Sequence, residues 1–253
     1  MHTKKINILN TTIDNLTMVA TLTTIKESIS KKKQIYLVVV NASTIVDLQT
    51  DKELRKSINN SEIITADGQS VVWASKILKK PLKEKVTGFE VMDKMVAISY
   101  KYNYKIFFLG ATEEVVKEVV KKYSKKYSSK IIAGYRNGYF NKTDEPKISE
   151  EIAESGADIL FVAISSPIKE NFLSQNKEKL KNVSFIMGVG GCFDIISGKT
   201  KRAPIWMQNS GLEWFYRFLQ EPKRMWKRYL IGNSKFIWLV FKEKLRLNKK
   251  LND

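Results

Sequence analysis

Short, continuously apolar runs alternate with longer amphipathic stretches from the start of the chain to about residue 200. The runs fall at 34–40, 62–65, 104–109, 130–133, 158–163 and 184–187, and include Ile35-Tyr36-Leu37-Val38-Val39-Val40 and Ile159-Leu160-Phe161-Val162-Ala163. A strand with one face in water alternates apolar with polar residues. A run that does not alternate suits a parallel sheet covered on both faces. The stretches between, at 88–102, 112–120, 143–155 and 166–180, carry apolar stripes at helical period. That at 112–120 opens on Thr112 followed by Glu113 and Glu114, a capping hydroxyl and an acidic first turn. The expected fold class is therefore α/β: a Rossmann-like, mainly parallel sheet with helices on both faces.

After Gly198 the pattern changes, and no further run reads as a strand. Aromatic and basic residues interleave instead, among them Trp206, Trp214, Phe215, Tyr216, Arg217, Arg224, Trp226, Arg228, Tyr229 and Trp238. The chain divides on this reading into an α/β core over 1–204 and a C-terminal helical appendage over 205–253.

The residue inventory narrows the chemistry. Forty-four Lys and Arg against 26 Asp and Glu give a formal charge of +18, which calls for an anionic partner: nucleic acid, a phosphorylated substrate or an anionic lipid surface. Cys192 is the only cysteine, so an internal disulfide and a cysteine-built zinc site are excluded. His2 is the only histidine, which removes histidine triads and histidine metal centres. The opening Met1-His2-Thr3-Lys4-Lys5 does not lead into a signal-peptide core, and no run of about 18 apolar residues occurs. The chain is expected to stay in the cytoplasm.

Ligands of open parallel sheets bind beyond the carboxyl ends of the strands. Four segments fall at such ends: Asn41-Ala42-Ser43, Ala66-Asp67-Gly68, Leu109-Gly110-Ala111-Thr112 and Gly188-Val189-Gly190-Gly191-Cys192-Phe193-Asp194. Asp67 reads either as a general base or as the N-cap of the next helix. The glycine cluster offers backbone amides to a phosphate, although tight turns also need glycine. It completes neither a P-loop nor the G-x-G-x-x-G fingerprint. Tyr139, in Gly138-Tyr139-Phe140, is either a stacking platform for a base or sugar or a buried aromatic. Lys169 or Glu170, in a helix opening at Ser166-Pro167, can face a ligand. The chain has no Asp-x-Asp pair, the usual carboxylate clamp for a metal-bound nucleotide-sugar.

Taken in order, these segments resemble the WecG/TagA/CpsF glycosyltransferases over nearly the whole chain. Val86-Thr87-Gly88, Gly198-Lys199, Lys201-Arg202-Ala203-Pro204 and Leu212-Glu213-Trp214 belong to the same series. The resemblance implies an inverting transferase of cell-envelope or capsular polysaccharide synthesis that uses neither metal nor cofactor. Members move N-acetylmannosamine from its UDP derivative to undecaprenyl-pyrophosphate-linked N-acetylglucosamine; another UDP-hexose such as UDP-glucose is the alternative donor. Asp67 matches the family's general base. Asn41, Gly138, Tyr139, Gly190, Gly191 and Asp194 match its nucleotide-sugar pocket, and Lys85, Gly110, Lys169 and Glu170 lie in the same motifs. Val39, Lys85, Glu90 and Ile168-Lys169 stand where the family more often has Thr, Arg, Asp and Lys-Gln.

Such a reaction needs a base for the acceptor hydroxyl and positive charge for the departing diphosphate. Asp67 supplies the first. Glycine-loop amides, Lys169 and the appendage residues Arg217, Arg224 and Arg228 supply the second. The aromatic and basic appendage is expected to dock the enzyme on the anionic inner leaflet, the alternative being a solvated basic helix with a core-facing stripe. A nucleic-acid-binding protein would explain the charge but not ligand-type turns at four strand ends. A dinucleotide-dependent oxidoreductase lacks its glycine fingerprint. Nucleic acid is accordingly not an expected partner, and a homo-oligomer is compatible with a sequence that does not determine oligomeric state.

Overall fold

The computed structural model describes residues 4–252, so His2 lies outside the described residues. Six parallel strands form the central sheet in the order β4-β3-β8-β7-β5-β6, where β3 is Ile35–Val40, β4 Ile63–Ala66, β5 Ile106–Gly110, β6 Ile132–Arg136, β7 Ile159–Ala163 and β8 Phe185–Gly188. All six expected strands are present, each within a few residues of its apolar run. Residues of β5 and β7 are buried throughout. Alternate residues feed two cores. Tyr36, Val38, Phe107, Leu109, Leu160 and Val162 pack on one face; Ile35, Leu37, Phe108, Phe161, Phe185 and Met187 pack on the other. Period-two alternation thus exists in the structure but is invisible in the sequence, because both faces meet apolar helices.

Helices are placed by their caps. Thr87 caps Gly88–Tyr102 by accepting from the Glu90 amide, and Thr112 caps Glu113–Lys126 by accepting from that of Val115. Not expected was a hairpin of β1 (Lys5–Ile8) and β2 (Thr11–Asp14), turned through Leu9 and Asn10 at φ 50° and 58°. Its tie to the sheet is Asp14, buried, whose carboxylate accepts from the Ile64 amide of edge strand β4 at 2.9 Å. An otherwise open edge is covered in this way.

From Ile205 onward every regular element among the described residues is helical: Ile205–Asn209, Glu213–Gln220, Pro222–Trp226, a π-turn over Lys227–Ile231, and Gly232–Asn252. This part is anchored in the core. Phe236 and Val240, 4% and 6% exposed, join the cluster that contains Tyr36 and Val38, and Gly232–Asn252 packs on the helix Ala42–Asp47. The long helix cannot be removed without opening that core.

Candidate active site

The carboxyl ends of β3, β4, β7 and β8 and the turn after β6 open into one cleft of about 1150 Å3, roofed by the C-terminal helices. Parallel strands put all their carboxyl ends on one edge of the sheet, which is why segments so distant in sequence meet there.

Asp67 follows β4, with its amide donating to the Val40 carbonyl at 2.8 Å so that the ladder runs one residue past the strand. The N-cap of the next helix, Gln69–Ile77, is Gly68 at φ 123°, and no side chain caps it. Asp67 therefore does not serve as that cap, and its half-buried carboxylate lines the cleft. Its pKa is pushed up to about 6, first by desolvation and then by the Glu213 carboxylate, with Arg228 and Lys85 opposing and Glu90 adding a smaller push. Such a group is mostly ionised at neutral pH yet holds a proton far better than an exposed carboxylate.

Asn41 caps the helix Ala42–Asp47, its side-chain oxygen accepting from the amide and hydroxyl of Thr44 at 3.2 and 3.3 Å. Tyr139, 77% exposed, stands at the cleft rim and is not a core aromatic. Gly138 and Gly110 are packing residues of the same wall. A Cβ on Gly138 would lie 2.9 Å from Gly110 Cα, and one on Gly110, at φ 130°, would lie 2.5 Å from the Ala163 carbonyl oxygen. Gly110 thus sits behind the lining, while Gly138 reaches it.

Lys169 and Glu170 divide their tasks. Lys169 lines the cleft with its stem so close to Gly188 that a Cβ there would meet Lys169 Cδ at 2.9 Å. Its ammonium contacts the Glu170 carboxylate, which lies beneath the lining at 3% exposure. Glu170 can hold Lys169 but cannot itself reach a ligand in the cleft.

The glycine turn after β8 is an approach point. Gly190 and Gly191 both line the cleft, and a Cβ on Gly191 would come within 2.2 Å of Arg217 Nη2, so the guanidinium rests directly on that backbone. Asp194, 9% exposed, receives Lys199 at 3.6 Å and Arg224 at 3.8 Å. Being already cation-bound, it organises the basic residues and does not meet an anion itself. Arg217 and Arg224 both also pair with Glu221, at 3.7 and 2.7 Å. Arg228 lines the cleft beside Tyr229, whose ring is tilted against that of Trp214 with centroids 5.6 Å apart.

The structure brings Asp67, Asn41, Lys85, Gly138, Tyr139, Lys169, Gly190, Gly191, Asp194, Arg217, Arg224 and Arg228 to one cleft, and leaves Gly110 and Glu170 behind its wall. Eight Lys or Arg side chains line it against four Asp or Glu, an excess suited to a diphosphate. Sequence reading did not single out Arg202 and Glu213 as site residues. Arg202 meets Glu90 at 3.2 Å and Glu213 at 3.6 Å, and its guanidinium lies 4.2 Å from the centre of the Phe89 ring. The only signal for them was their place in the family-like motifs. Cys192 also lines the cleft, but its thiol is pushed up to about 12, by burial first and then by Asp67, and is no nucleophile at neutral pH. Among the described residues, no three His, Cys, Asp or Glu side chains are grouped to hold a metal ion, and no helix is long and apolar enough to cross a membrane.

The model of the WecG/TagA/CpsF glycosyl transferase family matches residues 6–250. An N-acetylglucosaminyldiphosphoundecaprenol N-acetyl-beta-D-mannosaminyltransferase of Bacillus subtilis (strain 168) is 33% identical over 89% of this chain and 85% of its own length. A protein of the same name from Staphylococcus aureus (strain MW2) is 31% identical over 98% of this chain and 96% of its own. The chain belongs to the WecG/TagA/CpsF family and is a glycosyltransferase.

Proposed function

We propose that this glycosyltransferase moves a sugar, N-acetylmannosamine first among the candidates, from a UDP-sugar to a saccharide carried on undecaprenyl diphosphate, with inversion and without a metal ion. The observation that carries the reading is Asp67, one of four carboxylates in a cleft lined by eight cations, with its pKa pushed up to about 6 at the end of β4. The names of the relatives supply the acceptor class.

In this mechanism Asp67 takes the proton of the acceptor hydroxyl as its oxygen attacks the anomeric carbon. The bond from that carbon to the donor diphosphate breaks on the opposite face, and UDP leaves with the bonding pair. Arg217 on the Gly191 turn and Lys169 over Gly188 are positioned to stabilise the charge that collects on the diphosphate. Tyr139 at the rim offers an exposed ring to the uracil or the sugar.

The acceptor is a lipid, and the exposed face of the C-terminal helices suits a bilayer surface. Trp206, Leu219, Leu230, Ile237 and Trp238 are all more than half exposed, and Lys223, Lys227 and Lys235 interleave with them. Aromatic rings favour the headgroup level, and each basic residue near an anionic surface contributes about 1 kcal/mol. Together they support reversible attachment to the inner face of the membrane.

The test is transfer from a panel of UDP-sugars to a short-chain polyprenyl-diphosphate N-acetylglucosamine, in excess EDTA, with sedimentation on anionic liposomes in parallel. Product from one UDP-sugar under chelation, and binding that weakens with salt, are expected. Transfer that stops on chelation and returns with magnesium or manganese would overturn the metal-free mechanism, and no transfer from any UDP-sugar would overturn the donor assignment.

A further inference from the structure

Arg202 joins two carboxylates that belong to different parts of the fold. Glu90 sits in the first turn of the core helix Gly88–Tyr102, and Glu213 opens the C-terminal helix Glu213–Gln220. Arg202 Nη2 lies 3.2 Å from Glu90 Oε1 and Arg202 Nε 3.6 Å from Glu213 Oε1, while the guanidinium plane covers Phe89. Nε is buried and makes no hydrogen bond, so its pairing with Glu213 is the looser of the two. One turn beyond Glu213, the same C-terminal helix carries Arg217, which rests on Gly191. Arg202, Glu213, Phe89 and Asp67 all line the one cleft.

We infer that Arg202 is a positioning residue for Asp67: by gripping Glu90 and Glu213 together it fixes the C-terminal helix over the cleft and sets the charge that surrounds the Asp67 carboxylate. The groups acting electrostatically with Asp67 come from four elements and one loop. They are Lys85 before the core helix, Glu90 within it, Cys192 on Cys192–Ser197, Glu213 on Glu213–Gln220, and Arg228 with Tyr229 in the π-turn. Of these, Glu90 and Glu213 are the two Asp or Glu side chains opposing its ionisation, and they are the two that Arg202 binds. Removing the guanidinium leaves both carboxylates uncompensated, so Asp67 should hold its proton to higher pH. Removing the Glu213 charge should do the reverse.

This inference rests on Asp67 being the base, and its test separates the two. The Asp67 carboxyl is titrated by carbon-13 NMR in protein labelled at aspartate carboxyls, assigned with Asp67→Asn, in wild type, Arg202→Gln, Arg202→Lys, Glu213→Gln and the Arg202→Gln/Glu213→Gln double variant. The pH profile of transfer from the active UDP-sugar is measured on the same proteins. Arg202→Gln should move the Asp67 midpoint up, so that the ratio of ionised Asp67 at pH 6 to that at pH 8 falls roughly threefold, with the transfer profile following. Glu213→Gln should move it down, the double variant should return it close to wild type, and Arg202→Lys should largely preserve it. A folded Arg202→Gln protein with an unmoved midpoint, or a rate loss equal at every pH, overturns the inference. If Arg202→Gln does not fold, an unmoved midpoint in Glu213→Gln overturns it instead. If the midpoints move as stated but Asp67→Asn keeps its turnover, Arg202's hold on Asp67 stands and only the reading of Asp67 as base is lost.

Discussion

Replacing Asp67 by Asn should make the protein more stable while making it a poor enzyme, and the size of the gain follows from the site. The Asp67 carboxyl holds its proton to a pKa of about 6 in the folded protein, against an ordinary 3.8. Between these values the folded state binds more protons than the unfolded state, so stability falls as pH rises through that window. Well below pH 3.8 the carboxyl is protonated in both states and costs nothing. Above pH 6 the full cost of a desolvated charge facing Glu213 is present. A gap of about two pH units at 1.36 kcal/mol each sets an upper figure of about 3 kcal/mol, and partial exposure to the cleft lowers it to the order of 2 kcal/mol. Because Gly68 is the N-cap of the next helix, no capping bond is lost with the charge. Urea unfolding of wild type and Asp67→Asn at pH 8, 6 and 4 measures this. The variant should be more stable by about 2 kcal/mol at pH 8, by slightly less at pH 6, and by only about a few tenths of a kcal/mol at pH 4. A variant less stable at pH 8, or a difference independent of pH, would refute the reasoning.

Two substitutions test the parts that surround this carboxylate. Gly191→Ala places a Cβ within 2.2 Å of Arg217 Nη2 and must displace the guanidinium; calorimetric titration with UDP should show affinity down roughly tenfold or more, and unchanged affinity would separate Arg217 from the diphosphate. Phe236→Ala empties a core position shared with Tyr36 and Val38 and should lower unfolding stability by about 3–5 kcal/mol in a single transition. Loss of the C-terminal helix alone, with the α/β core melting as before, would show that helix to be a separate unit.

The parts of the fold that were readable from sequence are those written in local pattern. The unbroken run Ile35–Val40 identifies a doubly covered strand wherever it pairs, and Thr87 and Thr112 mark helix starts by their own side chains. The β1–β2 hairpin escaped because Leu9-Asn10 is not the Asn-Gly or Asp-Gly of a typical two-residue turn. Ala66-Asp67-Gly68 leaves Asp67 open between base and cap, since either residue can precede a helix; the structure makes Gly68 the N-cap, which removes only the capping role from Asp67. Glu170 sits in the motif beside Lys169, and nothing local distinguishes the side chain that turns into the core from the one that enters the cleft. Arg202 was hardest to find. Its partners, Glu90 and Glu213, lie 112 residues before it on one helix and beyond the core on another, so only tertiary packing brings the three together.

The central claim is that Asp67 removes the proton from the acceptor hydroxyl during transfer from a UDP-sugar. Single-turnover transfer from the preferred UDP-sugar to a polyprenyl-diphosphate-linked N-acetylglucosamine, measured from pH 5 to pH 9 for wild type and Asp67→Asn, tests it most directly. The wild-type rate should rise with pH and level off above about pH 6, where Asp67 is ionised, and Asp67→Asn should be slower by roughly 100-fold or more with no such rise. An Asp67→Asn enzyme that turns over near the wild-type rate, or keeps the same pH profile, would contradict the account.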